Sequence, residues 1–393
     1  MQRFLPFLLL LFVLALVLRV DLLFTAVWFL LGLYIVMRVW TQRAVRQLHI
    51  SRHFVERAFS GDEVAVRLLV RNAGRLPVPW LEINESVPMA LASTAPSAQV
   101  LTLLGREERT LNYVLTCRRR GYYQVGPLRG EMGDVLGLEQ RVLLWEEPRP
   151  LIVYPRVVPL QQLGLPSRSA LVVLPARTPL FEDTSRVMGV RDYQPGDSQR
   201  RIHWTASART GQLLVKQYQP AIARDTLLCL DMNLPSYGLR QRDEAAEMAI
   251  VVTASLARHM IVQEHLPAGL ATEAADPLVN QRRRFLLPPR AERAHLTNVL
   301  ELLARIQLAP GGGFAGLLRE ESVHLAWGAT MVAITGCIDD ELAETMLYLK
   351  RRGHAIALIL VQPAWMRGRD SEPPSMGVPV HRVWTDVELA AWK

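Results

Sequence analysis

The chain has 393 residues and a mass of 44.3 kDa, with half of its residues hydrophobic and 21% charged. Those values exclude a single small domain, and they exclude wholesale disorder, which needs low hydropathy and high charge. The formal charge of +8 is carried almost wholly by arginine, since Lys216, Lys350 and Lys393 are the only lysines. Its densest basic runs, Arg118 to Arg120 and Arg282 to Arg284, have no stacking aromatics between them and no helix-turn-helix pattern around them, which argues against a nucleic-acid partner.

The first residues are greasy in two blocks. Phe4 to Leu18 carries no charge, Arg19 and Asp21 interrupt, and Leu22 to Met37 is again uncharged before Arg38. One helix through both blocks would be about 50 Å long at about 1.5 Å per residue, against a hydrocarbon core of about 30 Å. It would also leave Arg19 and Asp21 near the midplane at about 2.5 to 3.5 kcal/mol each. A transmembrane helical hairpin over residues 1–40, turning at Arg19-Val20-Asp21, avoids both penalties, and Arg3, Arg19 and Arg38 snorkel to the headgroups. Trp28 then lies inside the second span and Trp40 at its interfacial end. A cleaved signal peptide competes with this reading, but no small-x-small site follows. Downstream, Arg38, Arg43, Arg46, Arg52 and Arg57 face a single acid, Glu56, and the positive-inside rule assigns that excess to the cytoplasm. Both ends and the large domains are therefore expected on the cytoplasmic side of the plasma membrane. Three widely separated cysteines, Cys117, Cys229 and Cys337, form no Cys-x-x-Cys pair, so neither a disulfide framework nor a cysteine-based zinc site is expected.

From 50 to 155 the pattern is short alternating or β-rich runs, Glu63 to Val70, Trp80 to Asn84, Thr110 to Thr116, Tyr122 to Val125 and Arg141 to Trp145. Asn72-Ala73-Gly74, Leu76-Pro77-Val78-Pro79 and Gly126-Pro127 punctuate them, which predicts a β-sandwich-like domain. Residues 156–224 read as an irregular linker rich in Pro, Arg and Ser. From 225 to 393 the text alternates: strands at Thr226 to Asp231, Gly269 to Thr272, Met331 to Thr335 and Ala355 to Val361, helices near Arg242 to Glu264, Glu292 to Ile306 and Asp340 to Arg352. Buried strands alternating with amphipathic helices predict an α/β doubly wound parallel sheet.

The densest polar sequence lies in the linker and runs from Arg191 to Thr210. Pro195-Gly196 predicts a type II turn that projects Asp192 and Asp197 toward Arg191, Arg200, Arg201 and Arg209. A hydrolase reading would take His203 as base and Ser207 as nucleophile. It lacks a G-x-S-x-G elbow and an oxyanion glycine loop, so a polar latch or a protein-recognition surface is the preferred reading.

The segment RDYQPGDSQRRIHWTASART, whose His203 and Trp204 start a short element and which is followed by the QLLVKQYQP strand, resembles the signature of the bacterial domain of unknown function 58 family, R-x-Y-x-P-G-D-x-x-R-x-I-H-W-x-x-S-A-R. The matching positions are Arg191, Tyr193, Pro195, Gly196, Asp197, Arg200, Ile202, His203, Trp204, Ser207, Ala208 and Arg209, with Asp192 beside them. The upstream RRRGYYQVGPLRGEMGDVLGLEQR and the VYPRV at Val153 to Val157 are similar to the family's approach to this domain, with Asp134-Val135-Leu136-Gly137-Leu138 where Asp-Pro-x-Gly-Leu is usual. The resemblance implies a membrane-anchored multidomain protein of the bacterial inner membrane, with a β-rich domain and a von Willebrand factor A-like domain. It also implies a MoxR-type AAA+ ATPase and transglutaminase-like proteins as associates.

A-type domains hold a divalent cation through Asp-x-Ser-x-Ser, and here the corresponding positions are Asp231, Asn233 and Pro235, with Thr335-Gly336 where Ser-Asp is expected and Phe314 where a Thr would stand. Proline cannot ligate and glycine brings no carboxylate, so the site reads as degenerate, with Asp231 and Asn233 its remaining candidates. Gly311 to Gly313 lacks any phosphate-loop context and reads as a flexible loop. The expectation is a non-enzymatic docking platform with no cofactor. A cation-dependent adhesion-type binder, and after it a hydrolase using His203 and Ser207, are the alternatives.

Overall fold

In the computed structural model, which describes residues 4–93, 98–134, 140–160, 182–194, 202–220, 225–279, 281–326, 328–363 and 377–390, two apolar helices begin the chain. Helix α1 spans Phe4–Leu18 and α2 spans Asp21–Arg46. The break falls at Arg19, whose φ of 52° ends the first helix in the left-handed region. Asp21 then stands in the first turn of α2, where a carboxylate complements the helix dipole. The helices fold back on one another, with Phe12 and Phe24 edge to face at 6.2 Å. Only α2 and the stretch Arg242–Gln263 are long and apolar enough to cross a membrane among the described residues. The apolar window is 11% buried in α2 and 83% buried in Arg242–Gln263, which marks the latter as a core helix.

The chain divides into two units, Met1–Arg156 and Val157–Lys393. In the first, eleven strands follow α2: β1 Leu48–His53, β2 Arg57–Phe59, β3 Glu63–Asn72, β4 Val78–Glu85, β5 Leu91–Ser93, β6 Gln99–Leu103, β7 Glu108–Cys117, β8 Gly121–Val125, β9 Leu128–Gly133, β10 Gln140–Glu146 and β11 Arg149–Tyr154. They form sheets in the orders β1-β3-β7-β5, β10-β9-β4-β6 and β2-β11-β8. Val64, Val66, Leu68 and Val70 of β3 alternate inward with Tyr113, Leu115 and Cys117 of β7 and Leu81 and Ile83 of β4, which is the period-two pattern of a sheet with one wet face. Within this unit Arg52 is fully buried. Its guanidinium donates to Glu85 at 2.6 Å and to the Glu147 carbonyl at 3.1 Å, and Tyr113 donates its hydroxyl to the other Glu85 oxygen.

The second unit holds a hairpin, β12 Glu182–Asp192 with β13 Leu214–Pro220, and a six-stranded sheet. The sheet comprises β14 Thr226–Asp231, β15 Ala268–Asp276, β16 Gln281–Arg290, β17 Thr330–Thr335, β18 Ala355–Val361 and β19 Val380–Val383, in the order β16-β15-β14-β17-β18-β19. Helices α3 Trp204–Thr210, α4 Arg242–Arg258, α5 Arg293–Arg305, α6 Phe314–His324, α7 Asp340–Arg351 and α8 Asp386–Ala390 intervene. TLLCLD and TMVAIT are buried at every position, as strands covered on both faces must be.

Two expectations need correction. The sheet is mixed, because β16 runs antiparallel to β15: the turn that starts at Pro277 is too short for a crossover, so only a hairpin closes it. Arginines and Pro288-Pro289 masked that strand in the sequence. Within the stretch read as irregular linker, residues 182–192 form a strand that pairs with the QLLVKQYQP strand, Leu214–Pro220, and a short helix begins at Trp204. Gly311 to Gly313, read as a loop, leads directly into α6, with Gly312 against the Arg282 guanidinium.

Candidate functional site

The signature residues occupy the connection between β12 and β13. Asp192 closes β12, pairing with Leu214, and Tyr193 N–H donates to the Leu213 carbonyl at 2.9 Å. The chain returns as α3, held down by the bridge between Ile202 and Val215 and by His203 N–H to the Leu214 carbonyl at 2.8 Å. His203 is the N-cap: its Nδ1 accepts from Ala206 N–H at 3.2 Å, the bond a Ser or Asp usually provides. Ser207 faces inward, accepting from Leu214 N–H at 2.9 Å and reaching the Leu214 carbonyl at 3.4 Å. Gly211 ends the helix at a φ of 74°.

Among the described residues, therefore, the structure brings no hydrogen bond between the His203 ring and the Ser207 hydroxyl, and both groups are committed to backbone. Arg191 donates to the Asp192 backbone carbonyl at 3.1 Å. Arg209 is exposed, and Trp204, the first residue of α3, keeps 67% of its surface exposed. Val190 and Leu213 on the same hairpin are 42% and 48% exposed. Pro195, Gly196, Asp197 and Arg200, with the predicted type II turn, lie outside the described residues, as do Val135 to Leu138.

The second region is the carboxyl end of the parallel strands. The chain passes from β14 to β15 on one side and later to β17 on the other, so a topological switch point lies between β14 and β17, where open α/β sheets bind ligands. Asp231 and Thr335 end those two strands. Asp231 is 2% exposed; one carboxylate oxygen accepts from Asn233 N–H at 3.0 Å and from the Asn233 amide at 2.7 Å, the other from the Thr335 hydroxyl at 2.7 Å. Burial pushes this carboxyl above its usual range, opposed by the hydrogen bonds from Ser236, Thr335 and Asn233.

Tyr237 fills the crevice itself. Its hydroxyl donates to the Asp231 carbonyl at 2.6 Å, and any side chain at Gly336 would strike the Ser236 carbonyl and the Tyr237 ring. On the outer side Arg282 pairs with Glu273 at 2.8 Å and donates to the Pro310 carbonyl at 2.9 Å and Asn233 Oδ1 at 3.3 Å. The residues do not fit a divalent cation: Asn233 aims its amide hydrogens at Asp231 and its oxygen at a guanidinium. Asp339 caps α7 through Leu342 N–H at 2.8 Å. No group of three or more His, Cys, Asp or Glu stands together among the described residues. Cys337 beside this knot is pushed up to about 11, first by burial and then by the charges of Asp231 and Asp339. Tyr237 and Arg282 were not singled out from sequence for this region; only topology brings them to Asp231.

The two regions define a non-repeating α/β unit with an exposed polar hairpin, preceded by a β-rich unit and an apolar helical pair. Residues 189–379 match the family model described as protein of unknown function DUF58, a span that contains the whole signature, Arg191 to Thr210, and most of the six-stranded sheet. Uncharacterized protein YeaD of Bacillus subtilis strain 168 is 26% identical over 305 residues, covering 75% of this chain and 70% of its own. Among solved structures, the CARDB domain of a Pyrococcus furiosus protein is 16% identical at a TM-score of 0.20, covering 27% of this chain and 91% of that one. The pilus adhesin RrgA of Streptococcus pneumoniae is 10% identical at a TM-score of 0.21, covering 72% and 42%. Neither of these two likenesses defines the fold.

Proposed function

We propose that the chain is a non-catalytic docking protein, tethered by α1 and α2 in the bacterial inner membrane with its large units on the cytoplasmic face. Its parallel strands β15-β14-β17-β18 with interleaved helices support reading the second unit as von Willebrand factor A-like. The observation that carries the proposal is Trp204, two-thirds exposed at the start of a helix whose neighbouring polar groups are all tied to backbone. Tryptophan and arginine are the residues on which protein interfaces most often concentrate their affinity. The partner to which the family resemblance leads is a MoxR-type AAA+ ATPase, with a transglutaminase-like protein second. The hydrolase alternative is disfavoured by the bonds of His203 and Ser207, and the cation-dependent alternative by those of Asn233 and Tyr237.

Capture of the ATPase by the detergent-solubilised full chain tests this reading. A hot-spot tryptophan predicts a loss of about thirtyfold or more for Trp204→Ala. Undiminished capture by that variant would remove the signature from the interface, and no capture by the unaltered chain would remove the partner. Protease treatment of spheroplasts checks the topology: cleavage beyond residue 60 from outside an intact inner membrane would reverse it.

A further inference from the structure

Helix α2 does not stop where its apolar block stops. Leu22 to Met37 is uncharged, but the helix runs on through Arg46, about 13 Å further at about 1.5 Å per residue. That extension is part of the β-rich unit: Thr41 and Ala44 are each 1% exposed, Ala44 belongs to the same core as Leu48, Val70 and Val78, and Trp40 packs against it. Trp40 Nε1–H donates to the Pro77 carbonyl at 3.0 Å, and Ala73 N–H donates to the Gln47 carbonyl at 2.8 Å. The loop 73–77 is thereby fixed beside the last turns of the helix.

A second loop is stitched to the first. Arg106 N–H donates to the Gly74 carbonyl at 2.7 Å, and the Asn72 amide donates to both the Leu76 and Leu104 carbonyls, at 2.8 and 2.9 Å. Gly105 lies so close to the Arg75 carbonyl that any side chain there would collide with it, and Arg106 is held at a φ of 63°. The outcome is that Arg75 and Arg106 lie on loops fixed at the level of the last turns of α2, which carry Arg38, Arg43 and Arg46. All five are exposed, and none has a carboxylate within ion-pair distance among the described residues. Their acidic neighbours are already taken: Glu107 by Arg109 and the Leu104 N–H, Glu108 by Arg71.

We infer that these five arginines form a collar for anionic phospholipid headgroups, seating the β-rich unit on the membrane surface around α2. The inference rests on the reading of α1 and α2 as a membrane anchor. Phosphate is the ligand their guanidinium groups suit, since each presents a planar fork of donors. The lipid surface is the source the geometry favours, because Trp40, the residue that binds the loop, follows the apolar block directly and falls in the headgroup layer. Arginines without acidic partners along that level otherwise repel one another; a negative surface potential removes the cost over a Debye length of about 8 to 10 Å.

The test uses the full chain in lipid nanodiscs, made either of zwitterionic phosphatidylcholine alone or with phosphatidylglycerol added, and reads hydrogen exchange at 73–77, 104–107 and within α2. Exchange of both loops is expected to be slower in the anionic discs by about fivefold or more, the equivalent of one basic residue near such a surface, and to revert at about 0.5 M salt. The double reversal Arg75→Glu with Arg106→Glu should abolish the difference while α2 stays protected. The salt reversal on the unaltered chain keeps the test valid should that variant fold poorly. Equal loop exchange in the two discs, with α2 protected, would overturn the collar and leave the anchor standing. Free exchange of α2 in both would overturn the anchor reading itself. Loss of ATPase capture on reversal without any lipid dependence would assign the arginines to a protein partner, and would equally overturn the collar.

Discussion

Asp231 and Trp204 belong to the same unit, and each sits in a polar segment that the sequence makes conspicuous, yet their surroundings are opposite. Around Asp231 the polar groups bond to one another inside the protein: Asn233 and Thr335 donate to the carboxylate, Tyr237 to its carbonyl, Arg282 to Asn233. Around Trp204 the polar groups are also tied inward, through His203 and Ser207, but the indole is left in solvent. A polar group that has found its partners indoors holds strands together; on the docking reading proposed above, the indole left outdoors is where a partner protein would bind. What distinguishes the two regions is which side of the protein their unsatisfied surface faces.

The comparison is broken most forcefully at a buried knot. Arg52 is the counterpart of Asp231 in the β-rich unit, and Arg52→Ala leaves Glu85 buried with Tyr113 as its remaining partner and leaves Glu146 with Arg149 as its cation. A loss of about 3–5 kcal/mol is expected, measured by denaturant unfolding of the full chain. Asp231→Ala strands the Asn233 N–H and amide, and should destabilise by about 2–3 kcal/mol in the same assay. If Asp231→Ala instead proved neutral in stability but abolished a saturable Mg²⁺ signal in calorimetry, the region would be a binding site and the contrast would fall.

The signature segment should respond in two ways at adjacent positions. Ser207→Ala removes an acceptor from Leu214 N–H and is expected to lose about 1 kcal/mol of stability. Trp204→Ala should stay within about 0.5 kcal/mol of the unaltered chain, its effect appearing only in partner capture. A thermal melt in which Trp204→Ala is the more damaging of the two would mean that the indole packs on something, and would sink the docking reading.

Much of this contrast was legible before any coordinates. The break at Arg19-Val20-Asp21 follows from two charges between two apolar blocks. TLLCLD and MVAIT read as buried strands because nothing in them can face water. The QLLVKQYQP strand was legible as β13, but β12 and its pairing were not: Pro, Arg and Ser dilute the pattern, and the pairing spans the whole signature. Strand β16 hid behind three arginines, two of which are neutralised in the fold, Arg282 by Glu273 of β15 and Arg284 by Glu320 and Glu321 of α6. The same holds for the site. Asp231 and Thr335 were recognisable as strand ends, whereas Tyr237 closing the crevice and Ser207 bonding Leu214 depend on register and loop path, which local composition does not encode.

The smallest effect sharpens the comparison from the side of the scaffold. His295 and His354 are buried on α5 and at the start of β18, and burial holds the pKa of each below its ordinary value of 6.5, with the charge of Arg352 adding to it at His354. In the unfolded chain both protonate near 6.5, before they do so in the folded unit. The unfolded state therefore takes up more protons as pH falls, and the stability these residues contribute is present above 6.5 and lost progressively below it. A melting temperature that declines between pH 7.5 and 5.5, and declines less in a His295→Gln, His354→Gln variant, is the expected result. A flat profile would mean that the rings reach water, and that the scaffold is less closed around them than the knot at Asp231 implies.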